Sequence, residues 1–410
     1  MAETMGEILF LAHRMPFPPD RGDKIRSHHL LKALVALAPV HVGTFCESPQ
    51  DRAHKEELAK LAKTHCLRDR TKPLWRAGIE AVVARKPVSL TAFDDTALRG
   101  WVSQTLADHP IDTIFVFSGQ MGQYIPDDFT GRVVFDLCDV DSAKFDAYAD
   151  QGERRWINRR EGRLLGREEA RLARRADNTL LITEAEAALF RSRLGDISGT
   201  QLTALGNGID ADFFDPAATT PHPELATDEG PHLVFTGQMD YRPNVEAALW
   251  IMRQLMPVLR QRHPHAFFHL VGRAPTLSLR ALHGENGVRV WGEVPDVRPF
   301  LAAAHMVVAP LIIARGVQNK VLEAMAMARP VVLTPEAATG IDAQDGLNFA
   351  ICPADPHAMS DVIAVIYADA ERAGQMGRAA RQFVLDTKSW GAVLAPLAGI
   401  VQRRSARDEA

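Results

Sequence analysis

ARGVQNKVLEAMAMARPVVLT, residues 314–334, runs through a glycine-containing turn, a helix start and a buried strand within twenty-one residues. That order suits phosphate chemistry. The backbone N–H groups of Gly316, Val317 and Gln318 would be unpaired donors at a helix N-terminus, a ready site for a diphosphate. Arg315 and Lys320 add cationic charge, enough to neutralise a departing nucleotide diphosphate without a metal ion. Glu323, three residues after Lys320, would accept hydrogen bonds from a ribose diol or from sugar hydroxyls, or else pair with Lys320 on an exposed face.

Outward from this stretch, short apolar runs alternate with longer helical patterns, the sign of a parallel sheet covered by helices. In the first half the expected strands are 7–13, 40–46, 112–118, 132–138 and 178–183, with helices at 27–38 and 152–176. In the second half they are 232–239, 266–272, 288–294, 306–311, 329–334 and 347–352, with helices at 244–262, 319–328 and 357–369. The Pro- and Thr-containing stretch 219–231 between them has no apolar period. The fold class is therefore α/β, with two Rossmann-like doubly wound domains. A chain of 410 residues exceeds what one core usually organises. The expected limits are 1–215 for the first domain, 216–230 for a linker, 231–387 for the second domain and 388–410 for a terminal helical segment. Ligands gather beyond the carboxyl ends of the strands in such sheets, so two facing halves would form a cleft.

Composition narrows the function. Hydrophobic residues make up 46% and charged residues 24%, which suits a globular chain with two cores. The net charge of −4 argues against nucleic acid as a partner. Cys46, Cys66, Cys138 and Cys352 are scattered, without metal-ligand spacing or a disulfide framework, which fits a reducing compartment. The first apolar run is too short for a signal peptide, and no stretch approaches a membrane span; the expectation is a cytoplasmic protein, at most peripheral to a membrane. GNGIDA (206–211) satisfies a dinucleotide pattern formally but runs into DADFFDP, which cannot open a long helix.

LEAMAMARPVV (322–332), FTGQMDYRPNVEAALW (235–250), ALGNGIDADFF (204–214) and VWGEVPDVRPFLAAAHMVVAP (290–310) together resemble the large retaining GT-B glycosyltransferase family that includes sucrose synthases and phosphatidylinositol mannosyltransferases. The family signature is a Glu, seven residues, then a second Glu. Glu323 stands at the second position and Arg315 at the first, a departure at the place that normally faces the donor sugar. The resemblance implies that Arg242 binds donor phosphate behind Gly237, that Gln238 replaces a usual Arg, and that backbone at Val294 contacts the nucleobase. It implies a nucleotide diphosphate sugar as donor, no cofactor and no metal, and front-face displacement in which the leaving phosphate helps deprotonate the acceptor hydroxyl. It also implies that the helical stretch from Trp390 to Val401 crosses back onto the first domain.

In the first half, MPFPPDRGDKIRSHHLL (15–31) follows the first strand as the family's acceptor and phosphate loop does. Gly22 is either a point of close approach to a diphosphate or an ordinary turn glycine. Arg21, Lys24 and Arg26 would steer an anionic acceptor or donor. FDLCDVDSAKFDAYA (135–149) begins where family members place a His or Asp near the reacting sugar, which nominates Asp139 and Asp141; the same pair would equally cap the next helix. Asp139, Arg242 and Lys320 are the catalytic candidates. The Arg-rich stretch 152–177 suits anionic lipid, while Glu161, Glu168 and Glu169 suit a solvated, core-packed face with arginine pairs. A narrower likeness, through RGVQNKVLEAMAMARPVV and VVFDLCDVDSAKF, is to sugar transferases of bacterial PEP-CTERM exosortase systems, implying a lipid-linked or polysaccharide acceptor in exopolysaccharide synthesis at the inner leaflet. Nucleotide-sugar 2-epimerases share the architecture, and a non-enzymatic nucleotide-sugar-binding partner is the third reading.

Overall fold

The computed structural model describes residues 6–195, 199–226, 229–314 and 316–402, so Arg315 lies outside the described residues. Two compact units divide the chain. One runs to Asn207 and takes up the chain again from Val393; the other is Gly208–Ala392.

The first unit is a seven-stranded parallel sheet of β1 (Glu7–Ala12), β2 (Val40–Cys46), β3 (Thr64–Asp69), β4 (Ile111–Phe117), β5 (Arg132–Cys138), β6 (Asn178–Leu181) and β7 (Leu202–Ala204). Its order is β3-β2-β1-β4-β5-β6-β7, so the winding reverses between β1 and β4. Helices cover both faces, which is why β1 and β2 read as near-continuous apolar runs and are buried almost throughout. The edge strands β3 and β7 were not expected. THCLRD is half-exposed and LTA is three residues long, so neither offers an unbroken apolar run.

The second unit repeats the plan with β8 (His232–Thr236), β9 (Phe267–Val271), β10 (Val288–Gly292), β11 (Met306–Ala309), β12 (Val331–Leu333) and β13 (Ala350–Ile351), ordered β10-β9-β8-β11-β12-β13. Its reversal falls between β8 and β11. The helix expected at 244–262 is one continuous rod in three windings, with a π segment at Ile251–Leu255.

The expected limit at 215 and the linker 216–230 shift, because residues 208–226 pack onto the second unit. Ile209 N–H donates to Lys388 O at 2.7 Å, His222 N–H donates to Pro299 O at 2.9 Å, and Leu225 is buried in that unit's core. The chain returns to the first unit at Leu397–Val401, where Thr113 Oγ1 donates to Val401 O at 3.2 Å and Arg132 Nε to Ile400 O at 2.6 Å.

The long basic helix is Arg155–Arg175, and two of the carboxylates expected on its solvated face, Glu161 and Glu169, are instead buried. Glu161 is buried and accepts from the backbone N–H groups of Val88 and Ser89; Glu169 is buried and accepts from Ser142 N and Oγ. Each carboxylate satisfies orphan donors at the start of a neighbouring helix, a stronger use than an exposed ion pair. Glu168 follows the expectation, accepting from Arg171 at 2.6 and 2.9 Å, and Glu161 also lies 3.8 Å from Arg160. Among the described residues no helix is long and apolar enough to cross a membrane.

Candidate functional site

At the reversal of the second sheet a concavity of about 560 Å³ opens beyond the carboxyl ends of β8, β9 and β10 and over the first turn of the Asn319–Ala326 helix. Gly237 and Gly272 end β8 and β9 with φ of +149° and +155°. A Cβ on Gly272 would stand 1.7 Å from Gly237 O, and one on Gly237 would meet Asn244 Nδ2 at 2.9 Å and Lys320 Nζ at 3.0 Å. Only glycine lets the two strand ends close together and leaves room for the ammonium.

Lys320 is half-buried. Its ammonium donates to Asn244 Oδ1 and lies 4.2 Å from the centroid of the Phe235 ring. Asn244 is in turn fixed by donating from Nδ2 to Gln238 O at 2.9 Å. Neither partner carries a formal negative charge. Burial pulls the Lys320 pKa down to about 8, with Glu323 opposing the shift. Burial pushes Glu323 up to about 6, with Lys320 opposing. Near neutral pH the concavity therefore holds an ammonium and a carboxylate one helical turn apart. The Asn319–Ala326 helix opens without a side-chain cap or an acidic residue in its first turn, so no side-chain oxygen competes for its first-turn N–H groups.

Arg273 completes the cationic rim. It follows β9, lines the concavity and donates to Gln238 Oε1 at 2.8 Å. It therefore supplies a guanidinium beside the position where Gln238 replaces one. The pattern Gly237-Gln238 after β8 and Gly272-Arg273 after β9 is the signal that would have found it.

The expected donor residues divide by placement. Gly237, Val294, Val317, Lys320 and Glu323 line the concavity, together with Asn244 and Arg273, which sequence reasoning missed. Gly316, with φ of +66°, and Gln318 form the turn that enters the helix, and Gln318 Nε2 donates to Gly316 O at 3.0 Å. Arg242 stands apart. It opens the Arg242–Trp250 helix with its side chain exposed, and its Nε lies 2.7 Å from Glu246 Oε1.

In the first unit, Gly22 opens the Gly22–Val35 helix with open space around its Cβ position. Arg21 pairs with Asp23 at 2.9 Å. The Lys24 ammonium is buried 2.8 Å from Asp51, and Arg26 is buried against Asp136 at 2.8 Å while donating to Gly206 O and Asn207 Oδ1. Charges held so deeply cannot steer a ligand at a distance, so of the three expected steering cations Arg21 alone is exposed. Asp139 and Asp141 both face Lys144, at 2.9 and 3.2 Å. Sequence reasoning missed His13, which follows β1. Its ring is buried between Phe117 and Phe93, and its Nε2 stands 3.4 Å from Asp23. Burial holds His13 below the usual imidazole pKa, with Asp23 opposing.

Two doubly wound parallel sheets, the second with a concavity lined by Lys320 and Arg273 at its switch point, define a two-domain α/β protein of the GT-B fold. Within it, residues 230–369 match the family model Glycosyl transferases group 1. Solved structures similar over nearly the whole chain include HepE of Anabaena in complex with UDP and glucose, at 16% identity over 96% of this chain and 98% of that chain, TM-score 0.58. Sucrose-phosphate synthase of Thermosynechococcus elongatus aligns at 18% identity over 96% and 98%, TM-score 0.59. A TarM variant of S. aureus aligns at 11% over 97% and 100%, TM-score 0.56. At such identities the likeness is one of fold. Comparison with curated proteins gave no match.

Proposed function

We propose that this chain is a retaining glycosyltransferase that takes its sugar from a nucleotide diphosphate donor held in the Gly237–Lys320–Glu323 concavity. The observation that carries the reading is the Lys320 ammonium, half-buried and fixed by a neutral amide beside an uncapped helix N-terminus. A diphosphate there would meet Lys320, the first-turn N–H groups and Arg273, and Glu323 would accept from ribose hydroxyls. These groups stabilise the charge that grows on the leaving phosphate, so no metal is needed for that task. In the step itself the acceptor oxygen bonds to the anomeric carbon while the bond to the phosphate oxygen breaks on the same face. The acceptor proton passes to the departing phosphate.

That HepE of Anabaena was solved with UDP-glucose supports a uridine nucleotide donor. The acceptor is a lipid-linked or polysaccharide hydroxyl at the cytoplasmic face of a membrane, in exopolysaccharide synthesis. The test is a panel of nucleotide sugars with and without a crude lipid acceptor fraction, in the presence of a chelator, scoring nucleotide diphosphate release and anomeric configuration. Acceptor-dependent release with retention is expected. Conversion of the donor to an isomer without acceptor would make the protein an epimerase, and binding without turnover would remove the enzymatic reading.

A further inference from the structure

The Leu74–Val83 helix of the first unit is inside out for a globular protein. Its small residues Ala77 and Ala81 are fully buried, while Leu74, Trp75, Ile79, Val82 and Val83 are 58 to 80% exposed. At 100° per residue these five large side chains share one half of the helix surface, opposite the alanines. Scattered exposed apolar residues need no explanation, but five on one short helix do.

A second element extends the patch. Arg160 donates to Ala81 O at 2.8 Å and to Lys86 O at 3.2 Å, tying the start of the Arg155–Arg175 helix to the end of Leu74–Val83. One turn before Arg160 stands Trp156, 75% exposed. Cations border the apolar surface. Residues 72–86 hold four basic side chains against one carboxylate, and residues 153–163 hold five against two, in a chain whose net charge is −4. Directly beyond the helix a concavity of about 650 Å³ is lined by Arg85, Lys86, Arg99, Arg167 and Arg171, with Asp127 and Glu168 as its carboxylates.

We infer that this face docks onto an anionic lipid bilayer, with Trp75, Val83 and Trp156 entering the boundary between headgroups and acyl chains and the flanking cations meeting lipid phosphates. Aromatic and aliphatic side chains bordered by Lys and Arg are the arrangement an interfacial helix uses. A second copy of this chain would suit the surface poorly, since a two-fold contact would set one cation cluster against the other. The inference goes beyond the donor site and does not depend on it, because every residue involved belongs to the first unit.

Sedimentation of the full-length protein with phosphatidylcholine vesicles, with and without phosphatidylglycerol, tests it. The expected result is binding about tenfold tighter to the anionic vesicles, weakening as salt is raised. The Trp75→Ser, Val83→Ser double variant should lose about tenfold of that binding. Its thermal midpoint and its affinity for a nucleotide sugar, read by calorimetry, should stay unchanged, which separates this outcome from any failure of the donor site. Equal binding by the double variant, no sedimentation at low salt, or a wild-type dimer that the double variant abolishes would each overturn the inference.

Discussion

The carboxyl edges of the two sheets treat their cations in opposite ways. In the first unit Arg14, Lys24 and Arg26 each have a carboxylate within 3 Å, on Asp23, Asp51 and Asp136. In the second unit Lys320 has an asparagine oxygen and an aromatic face. The first arrangement is complete, and its charges hold the fold together. The second leaves an ammonium that Glu323 compensates only in part. Burial lowers the Lys320 pKa because no partner fully compensates desolvation, and a group in that state gains most from an incoming anion.

The largest effect is therefore expected in the first unit and on stability alone. Asp136→Asn leaves the fully buried Arg26 without its carboxylate and should cost about 3–5 kcal/mol in the first unit's unfolding transition. Nucleotide-sugar affinity at temperatures where the fold survives should not change. Urea titration beside calorimetry separates the two readouts, and a variant that lost affinity while keeping its stability would break the comparison from one side. From the other side, Lys320→Ala should lower kcat/KM about 10²–10³-fold with little change in stability. Loss of stability without loss of turnover would reassign Lys320 to the fold.

Asn244→Asp sharpens the contrast by converting the second edge into a copy of the first. A carboxylate at Asn244 would pair with the ammonium that Asn244 Oδ1 now accepts from, raise the Lys320 pKa and cancel its charge before any ligand arrives. Donor affinity should fall about tenfold, while the thermal midpoint holds or rises. Asn244→Ala, which removes the anchor without adding charge, should weaken donor binding less. If Asp and Ala weaken it equally, the neutrality of the partner is irrelevant and only its position matters.

How much of this was legible in the sequence follows from how far apart the contributing residues lie. Lys320 and Glu323 sit on one local turn-helix-strand unit, and the apolar runs of β8, β11 and β12 are buried on both faces, so periodicity and spacing exposed them. Asn244 and Arg273 reach the same concavity from separate strand-to-helix connections, and no local pattern links them to Lys320. Arg242 shows the converse: its place in the motif was clear, yet its side chain turns to Glu246 on the exposed face of its helix. In the Arg155–Arg175 helix the same logic missed the hydrogen-bond partners of Glu161 and Glu169. Those partners are backbone and serine donors far along the chain, at Val88, Ser89 and Ser142, invisible to charge counting along the helix. β3 and β7 escaped notice because an edge strand is half solvated and keeps no continuous apolar run.

The smallest expected effect is the dependence of donor affinity on pH. With Lys320 titrating at about 8 and Glu323 at about 6, the charged pair exists between those values. Raising the pH through 8 removes the ammonium from the free protein, whereas the bound diphosphate keeps it protonated, so binding must take up a proton and affinity falls. From pH 7 to pH 8.5 the loss should be about fourfold, as a single group with that free pKa dictates. Lowering the pH through 6 protonates Glu323, which then accepts less well from a hydroxyl, and affinity falls again. A nucleotide sugar is the ligand to use, since its doubly esterified diphosphate does not titrate in this range. Lys320→Arg should flatten the alkaline limb and Glu323→Gln the acid limb. An alkaline limb that survives Lys320→Arg would place the titrating cation elsewhere in the concavity and remove Lys320 from the contrast with the first edge.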